Sequence, residues 1–379
     1  MRPRRRALRI GIVLGRTGRL APLGEPLAYI VERFRALDPH VGAHTVELVT
    51  ADHGSTAAGA RSAVCHLARQ QAAIVVCLGG TTVLPVIARA AVELGLPCVS
   101  TALPWQVYRA AVQHDGWAYH FCWGLDDIAR TFTDLWSRVS GTDPVGLLWN
   151  DGPQGTALRT RDMGFLPTAS RARRLVDPGG YREPVDDLTQ AVRGFGDAGV
   201  RIVSSAATTA DLVRFREQSG ALGLRLVTCS RWLAYPFGVD HPALDRVATV
   251  VAWSPRHHWA SGVDGTTAAR LATDYQRDTG RAWLPLLGLA HALLEVALHA
   301  LRTAADPQDR SAVGQALCDA AVDTIAGRLD WSRGPAPGIA TLALAGGQWH
   351  NAGGRPRLRI VATDRVAAVN LDGELRISR

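Results

Sequence analysis

Between residues 8 and 102 the chain alternates short apolar runs with amphipathic stretches, and each apolar run ends in glycine or small polar residues. This alternation is typical of β-strands that are followed by α-helices. It predicts an α/β fold with a doubly wound parallel sheet, whose ligands bind beyond the carboxyl ends of the strands. The predicted strands are residues 8–14, 45–50, 73–78 and 96–99.

A second set of alternating runs extends from Val145 to Trp253. The chain has 379 residues, which is more than one hydrophobic core of ordinary size accommodates, so length and pattern together predict two lobes. At the end of the chain, residues 358–378 predict a terminal β-hairpin with Asp372-Gly373 as its turn. The predicted strands of the second set are residues 145–149, 172–176, 202–205, 226–229 and 247–253.

Several short motifs are spread over most of the chain, and their order and spacing are more specific than any one of them. They are Thr17-Gly18 with Gly24, Val46-Glu47-Leu48-Val49 with Asp52, Gly79-Gly80-Thr81-Thr82, Gly95-Leu96-Pro97-Cys98-Val99-Ser100, Val145-Gly146-Leu147-Leu148-Trp149-Asn150-Asp151 and Ala221-Leu222-Gly223-Leu224. In this arrangement they resemble the type I periplasmic binding proteins, specifically the branched-chain amino acid and amide receptors of ABC transporters.

The resemblance implies two doubly wound parallel-sheet lobes joined by a three-strand hinge. The first lobe is expected to comprise residues 1–121 and 254–326, and the second residues 122–253 and 327–379. A small molecule is expected in the cleft between the lobes, which close on it by the hinge.

The basic residues exclude several kinds of catalysis. All 42 of them are arginine, so there is no lysine for a Walker A motif, for a Schiff base or for pyridoxal phosphate. The sequence also lacks GxSxG, HExxH and CxxC motifs. We therefore predict no catalytic residue, no metal site and no cofactor.

Charge and cysteine content bear on partners and location. Only two arginine clusters, residues 2–9 and 171–174, stand out against the net charge of +8, which is little support for nucleic-acid binding. The six cysteines lack paired spacing and are typical of reduced core residues in the cytoplasm. Residues 8–14 are needed as the first strand, so they are not expected to be a cleaved signal, and we predict a cytoplasmic protein. An exported receptor whose start is misassigned is the alternative.

Four hydroxyl side chains follow the strands of the first lobe and are candidate ligand contacts for a carboxylate or a carbonyl. The alternative is that each of them only caps a helix. These residues are Thr81, Thr82, Ser100 and Thr101.

Amino-acid receptors of this family hold the ligand carboxylate with hydroxyls in these two loops, and the ligand ammonium with an acidic residue in the second lobe. Here the resemblance places Gly80 and Pro104 at hydroxyl positions, and Ser230-Arg231 at the position of the acid. Arg231 is therefore a candidate site residue that repels an ammonium and attracts an anion.

Four tryptophans stand just after strands or at a lobe crossing, where a side chain reaches the cleft. Flat apolar walls of this kind favour a planar or aromatic ligand. The alternative for each is packing in the core. The four are Trp105, Trp123, Trp232 and Trp253.

These features favour a cytoplasmic protein that binds a planar or aromatic carboxylate or amide. An ABC permease or a regulatory protein is a candidate partner. Direct membrane insertion is not expected, because the apolar run 283–298 is interrupted by Pro285, His291 and Glu295. An exported receptor and a biosynthetic enzyme built on the same fold are the two alternatives.

Overall fold

The computed structural model describes residues 7–113, 115–231, 241–352 and 355–378. It divides into two compact units. The first unit runs to Cys122 and again from Trp253 to Leu342, and the second consists of Trp123–Ala252 and the chain from Ala343 onward.

The strands alternate with the helices along most of the chain. In order, the strands are β1 (Leu8–Leu14), β2 (His40–Val41), β3 (His44–Asp52), β4 (Ile74–Leu78), β5 (Cys98–Thr101), β6 (Ala118–Cys122), β7 (Val145–Leu148), β8 (Leu175–Val176), β9 (Ile202–Ser205), β10 (Leu226–Cys229), β11 (Val247–Val251), β12 (Ala321–Thr324), β13 (Gly327–Asp330), β14 (Ile339–Thr341), β15 (Ala345–Ala352) and β16 (Arg355–Ala362). The helices are α1 (Ala21–Ala36), α2 (Ala57–Arg69), α3 (Leu84–Glu93), α4 (Trp105–Ala111), α5 (Leu125–Ser137), α6 (Pro153–Arg159), α7 (Phe165–Ala169), α8 (Thr189–Asp197), α9 (Thr209–Gln218), α10 (Ala268–Thr279), α11 (Leu286–Thr303) and α12 (Arg310–Cys318).

The sheet of the first unit has the strand order β14-β6-β5-β4-β1-β3-β2. All neighbours in it are parallel except the short β2, which is antiparallel to β3. The strand β4 is buried along its whole length, as expected when helices cover both faces of a parallel sheet. The predicted doubly wound parallel sheet is therefore confirmed.

The long helix α11 is the apolar centre of the first unit. It packs against α1, α12, β4 and β5, and nearly all of its residues are buried. Its length and composition would suffice to cross a membrane, yet 83% of its apolar window is buried inside the protein. Burial on all sides is typical of a core helix.

The sheet of the second unit has the order β16-β15-β11-β10-β9-β7-β8. Strands β8, β7, β9, β10 and β11 are parallel, whereas β15 and β16 are antiparallel. The prediction of a hairpin within residues 358–378 is wrong, because Leu358 and its neighbours in β16 pair with β15 instead. Asp372 accepts a hydrogen bond from the backbone N–H of Ile360, which holds the tail against β16.

The chain passes between the two units for the third time after Leu342, whereas the expected boundary lay between residues 326 and 327. Strand β14 pairs in parallel with β6, with Ile339 opposite His120, so the chain returns to the second unit only after Leu342. The hairpin of β12 and β13 also stays in the first unit, where β12 packs against α11. The other two passages lie within one residue of the expected positions.

Candidate functional site

Two threonine hydroxyls without a hydrogen-bond partner in the described part of the chain lie just before the start of α3. Strand β4 ends at Leu78, and the backbone N–H groups of Val83 and Leu84 donate to the carbonyl oxygen of Gly80. No side chain caps α3, and within the described residues neither the Thr81 nor the Thr82 hydroxyl makes a hydrogen bond. Both residues are at least partly exposed. Hydroxyls and N–H groups at a helix start suit an anionic ligand group.

Gly80 lies beside these two threonines in an open position. A Cβ atom built on Gly80 meets no described atom within 4 Å, whereas one on Gly79 would come within 2.8 Å of the Val83 side chain. A serine at position 80 would therefore fit. That this position differs from amino-acid receptors by a missing hydroxyl stays a prediction, and the space around Gly80 gives no steric cause for it.

Ser100 and Thr101 are the last two residues of β5, whereas the prediction placed them in the loop after the strand. Both are fully buried. The Ser100 Oγ atom is 2.8 Å from His120 Nδ1, and the Thr101 hydroxyl donates to the carbonyl oxygen of Phe121 at 2.6 Å. Both hydroxyls are thus engaged by the neighbouring strand β6. Contact of either with a ligand stays a prediction.

His120 is held as a neutral ring at the centre of this cluster. Its Nε2 atom is 2.7 Å from the carbonyl oxygen of Leu103, so Nε2 carries the proton and Nδ1 accepts from Ser100. The ring of Tyr108 stacks on it at 4.1 Å between centroids. Burial lowers the pKa of His120 to about 4.

The stability of the protein should fall as the pH is lowered from about 6.5 to about 4. Burial lowers the pKa of His257 to about 4 as well, from an ordinary value of 6.5. Between these two values the unfolded chain binds more protons than the folded chain, so acid favours unfolding, by roughly 3 kcal/mol for each buried histidine. Urea unfolding at several pH values measures this effect. His120→Gln should give a shallower slope, and an equal slope in both proteins would contradict the assignment.

The four tryptophans are in different environments. Trp105, at the start of α4, and Trp123 are partly exposed. Trp253 is fully buried in the first unit, where its ring packs edge-to-face on Trp283. Trp232 lies outside the described residues. A role in ligand contact stays a prediction for all four, and the burial of Trp253 favours the packing alternative.

In the second unit, side chains from three loops that follow strands meet in one polar cluster. Both carboxylate oxygens of Glu183 accept hydrogen bonds from Arg231 Nη1, at 2.7 and 2.8 Å. Asn150 Nδ2 also donates to Glu183 Oε1 at 2.7 Å and to the carbonyl oxygen of Ala206 at 3.0 Å. We name Asn150, Glu183 and Arg231 the polar cluster. Its members follow β7, β8 and β10, so they lie at the carboxyl edge of the parallel strands.

Two further groups beside the polar cluster have unsatisfied atoms. The Tyr181 hydroxyl and Asp211 Oδ2 are buried and have no hydrogen-bond partner in the described part of the chain, while Asp211 Oδ1 accepts from the backbone N–H of Val185. Burial, followed by the charges of Asp211 and Glu183, raises the pKa of Tyr181. Buried polar atoms without partners are uncommon and mark places where a water or a ligand completes the bonding.

The sequence from residue 7 to residue 353 matches the family model described as periplasmic binding protein. The chain belongs to this family. The predicted family and the predicted two-lobe α/β fold are thereby confirmed.

Solved structures of periplasmic binding proteins share this fold at low identity. A leucine-binding protein from Thermotoga maritima is 14% identical with a TM-score of 0.74, and the match covers 94% of this chain and 99% of that one. A solute-binding protein of an R. palustris ABC transporter, solved with 4-hydroxybenzoate, is 13% identical over 94% and 96% of the two chains, with a TM-score of 0.75. Another from R. palustris, solved with benzoate, is 17% identical over 98% and 99%, with a TM-score of 0.69. No curated protein matches the chain.

For this periplasmic binding protein, the sequence analysis named Arg231 as a candidate site residue, which stays a prediction, and did not single out its neighbours Tyr181, Glu183 and Asp211. The signal was weak, because β8 has only two residues and the loop after it contains no recognisable motif. Among the residues that the structure describes, no group of three or more His, Cys, Asp or Glu side chains is placed to hold a metal ion.

Proposed function

We propose that the protein is a non-catalytic binding protein for a small planar or aromatic carboxylate or amide. The observation that carries this proposal is the uncapped start of α3, where the Thr81 and Thr82 hydroxyls are available to a carboxylate. Partly exposed Trp105 adds a flat apolar surface in the same unit. Relatives of similar fold were solved with benzoate and 4-hydroxybenzoate, which are ligands of this class.

Isothermal titration calorimetry tests the proposal with benzoate, 4-hydroxybenzoate, benzamide and leucine. We expect at least one of the three aromatic ligands to bind and leucine not to bind. Micromolar affinity for leucine, isoleucine or valine would overturn the assignment of ligand class.

Replacing both Thr81 and Thr82 by valine should weaken benzoate binding at least about tenfold, because hydrogen bonds to a charged group are each worth about 1.5–3 kcal/mol. The fold should persist, since neither hydroxyl has a partner among the described residues. Thr273→Val on α10 is the control, since this hydroxyl donates only within its own helix, to the carbonyl oxygen of Ala269. An equal loss of benzoate affinity in the control and in the double variant would show that the two threonines do not contact the ligand.

The same proposal includes a cytoplasmic location, with a permease or a regulatory protein as partner. Its support is that residues 8–14 form the buried strand β1, which pairs with β3 and β4 and is therefore retained in the folded protein. Fractionation of the native host, followed by mass spectrometry of the amino terminus, is the test. Recovery from the cell envelope in a form that begins after residue 14 would contradict it.

A further inference from the structure

The first residue after β5, Ala102, has a strained backbone. Its φ is 76°, in the left-handed region, where the Cβ atom of any residue other than glycine comes too close to the following carbonyl oxygen. Residues with side chains stay in this region only where the surrounding structure holds them, and they are concentrated at binding and active sites. We name residues 102–104 the β5 loop. Its conformation needs support from outside the loop.

Two hydrogen bonds to β6 hold the β5 loop, one on each side of the strained residue. Before Ala102, the Thr101 hydroxyl donates to the carbonyl oxygen of Phe121 at 2.6 Å. After it, His120 Nε2 donates to the carbonyl oxygen of Leu103 at 2.7 Å. His120 and Phe121 are consecutive residues of one strand, so Ala102 lies between two bonds to the same support. The bond from His120 is the only one of the two that reaches the loop itself.

The ring of His120 is itself fixed in place. Ser100 donates its hydroxyl to Nδ1 at 2.8 Å, which keeps the proton on Nε2, where it is needed for the β5 loop. The ring of Tyr108 stacks on His120 with an angle of 9° between the two planes. Tyr108 also donates its backbone N–H to the carbonyl oxygen of Pro104 at 3.0 Å. The histidine is thus joined both to the β5 loop and to the helix α4 that follows it.

The β5 loop lies beside the candidate ligand contacts of the first unit. Leu78, the last residue of β4, is opposite Thr101, the last residue of β5. The β5 loop and the segment with Thr81 and Thr82 therefore leave neighbouring parallel strands at the same carboxyl edge, where ligands of such sheets bind. The β5 loop leads directly into Trp105, which is partly exposed. A displaced loop would move this flat surface away from the two hydroxyls.

We propose that His120 is a positioning residue of the ligand site, which holds the β5 loop in its strained conformation before a ligand binds. This inference rests on the proposed function, since it requires Trp105 to contact the ligand. His120 is fully buried and acts only through the loop. A loop that already has its bound conformation loses less conformational freedom on binding, which raises the affinity. Without the bond from His120, Ala102 leaves the left-handed region, and the ligand must restore the strain.

Two substitutions of His120 separate the hydrogen bond from the packing of the ring. His120→Phe keeps a flat ring against Tyr108 but has no donor for the Leu103 carbonyl oxygen, whereas His120→Gln loses the ring and keeps an N–H donor. Calorimetry on the full-length protein with benzoate, 4-hydroxybenzoate and benzamide measures the effect. We expect His120→Phe to weaken binding at least about tenfold, or about 1.4 kcal/mol, and His120→Gln to stay within about threefold of wild type. Tighter binding by His120→Phe than by His120→Gln overturns the role of the hydrogen bond.

Ala102→Gly tests the strain directly. Glycine adopts the left-handed region without steric cost, so adding this substitution to His120→Phe should restore most of the lost affinity. Gln71→Gly is the matched control, because Gln71 also has a left-handed φ, of 60°, but precedes β4 at its amino end. It should restore nothing when added to His120→Phe. Equal affinities of His120→Phe with and without Ala102→Gly overturn the role of the strain.

Hydrogen exchange in the ligand-free proteins tests the loop independently of any ligand. The Tyr108 N–H is bonded to the Pro104 carbonyl oxygen, so release of the β5 loop exposes it to exchange. Mass spectrometry of the peptide that contains Tyr108 should show exchange at least about tenfold faster in His120→Phe and nearly unchanged in His120→Gln. Unchanged exchange in a folded His120→Phe protein overturns the inference. Circular dichroism confirms that each variant is folded.

The outcomes separate the inference from the proposed function. A folded His120→Phe protein with wild-type affinity for the aromatic ligands overturns the role of His120 and leaves the proposed function standing. A wild-type protein that binds none of the three ligands overturns the proposed ligand class, and the exchange of the Tyr108 N–H still decides whether His120 holds the β5 loop. Faster exchange together with weaker binding in His120→Phe, and neither in His120→Gln, supports the inference.

Discussion

Replacing Trp253 with alanine is expected to lower the free energy of unfolding by about 3–5 kcal/mol. The side chain is fully buried, with its ring centroid 6.1 Å from that of Trp283. Gly288 on α11 lies against the indole, because a Cβ atom there would come within 2.2 Å of Trp253 Cγ. Alanine at position 253 therefore opens a cavity beside α11. Urea denaturation followed by circular dichroism measures the loss.

Gly288→Ala tests the same contact from the other side. The added methyl group has no room, so this variant should be destabilised by about 1–3 kcal/mol or more. Gly194→Ala on α8 is the control, since a Cβ atom there would meet no described atom within 4 Å. A glycine in a helix costs roughly 0.5–1 kcal/mol relative to alanine, so the control should be neutral or stabilised. A Trp253→Ala protein of wild-type stability that no longer binds ligand would instead make Trp253 a ligand contact.

Glu295→Leu is expected to cost about 3–5 kcal/mol of stability. The carboxylate lies on the buried helix α11 and accepts the backbone N–H groups of Gly262 and Ile325, each at 2.9 Å. His291 Nδ1 is 3.1 Å away from it and fully buried. Leucine at position 295 leaves the buried N–H group of Ile325 and the partly buried N–H group of Gly262 without their acceptor. A buried donor without an acceptor costs about 1–3 kcal/mol.

Glu295→Gln separates the contribution of the hydrogen bonds from that of size. Its amide oxygen still accepts one of the two N–H groups, so the loss of stability should be smaller than in the leucine variant. Glu217→Leu is the control, because Glu217 forms an exposed ion pair with Arg214 at 3.6 Å. This variant should change the free energy of unfolding by about 1 kcal/mol or less. Equal losses for Glu295→Leu and Glu217→Leu would show that the buried carboxylate does not hold the two loops.

The strands with continuous apolar runs were predictable residue by residue. The bounds of β1, β9 and β10 agree with the predicted residues 8–14, 202–205 and 226–229. A strand that is covered on both faces needs an unbroken apolar run, and such a run can be recognised from a few consecutive residues. The strand β5 was less predictable, because Ser100 and Thr101 are polar and are drawn into it by pairing with β4 and β6.

Side-chain partners that are distant in sequence could not be predicted. Arg231 was a candidate from its place after a strand, but its partner Glu183 is 48 residues earlier in a loop without a motif. The direct interpretation of Arg231 as an uncompensated cation therefore omitted the charge beside it. The neighbours of Trp253 could not be predicted either. Its position after β11 predicted a ligand contact, but Gly288 on α11 leaves room for its ring in the core.

The sequence by itself determined the family, the alternation of strands and helices and the loops at the carboxyl ends of the strands, because these follow from local periodicity and spacing. Tertiary structure decided the assignment of β14 to the first unit, the pairing of β15 with β16 and the neighbours of each polar side chain. These features depend on which strand has an edge available for pairing and on which charged side chains of different loops come into contact. Such contacts join residues far apart in the chain, and no local pattern records them.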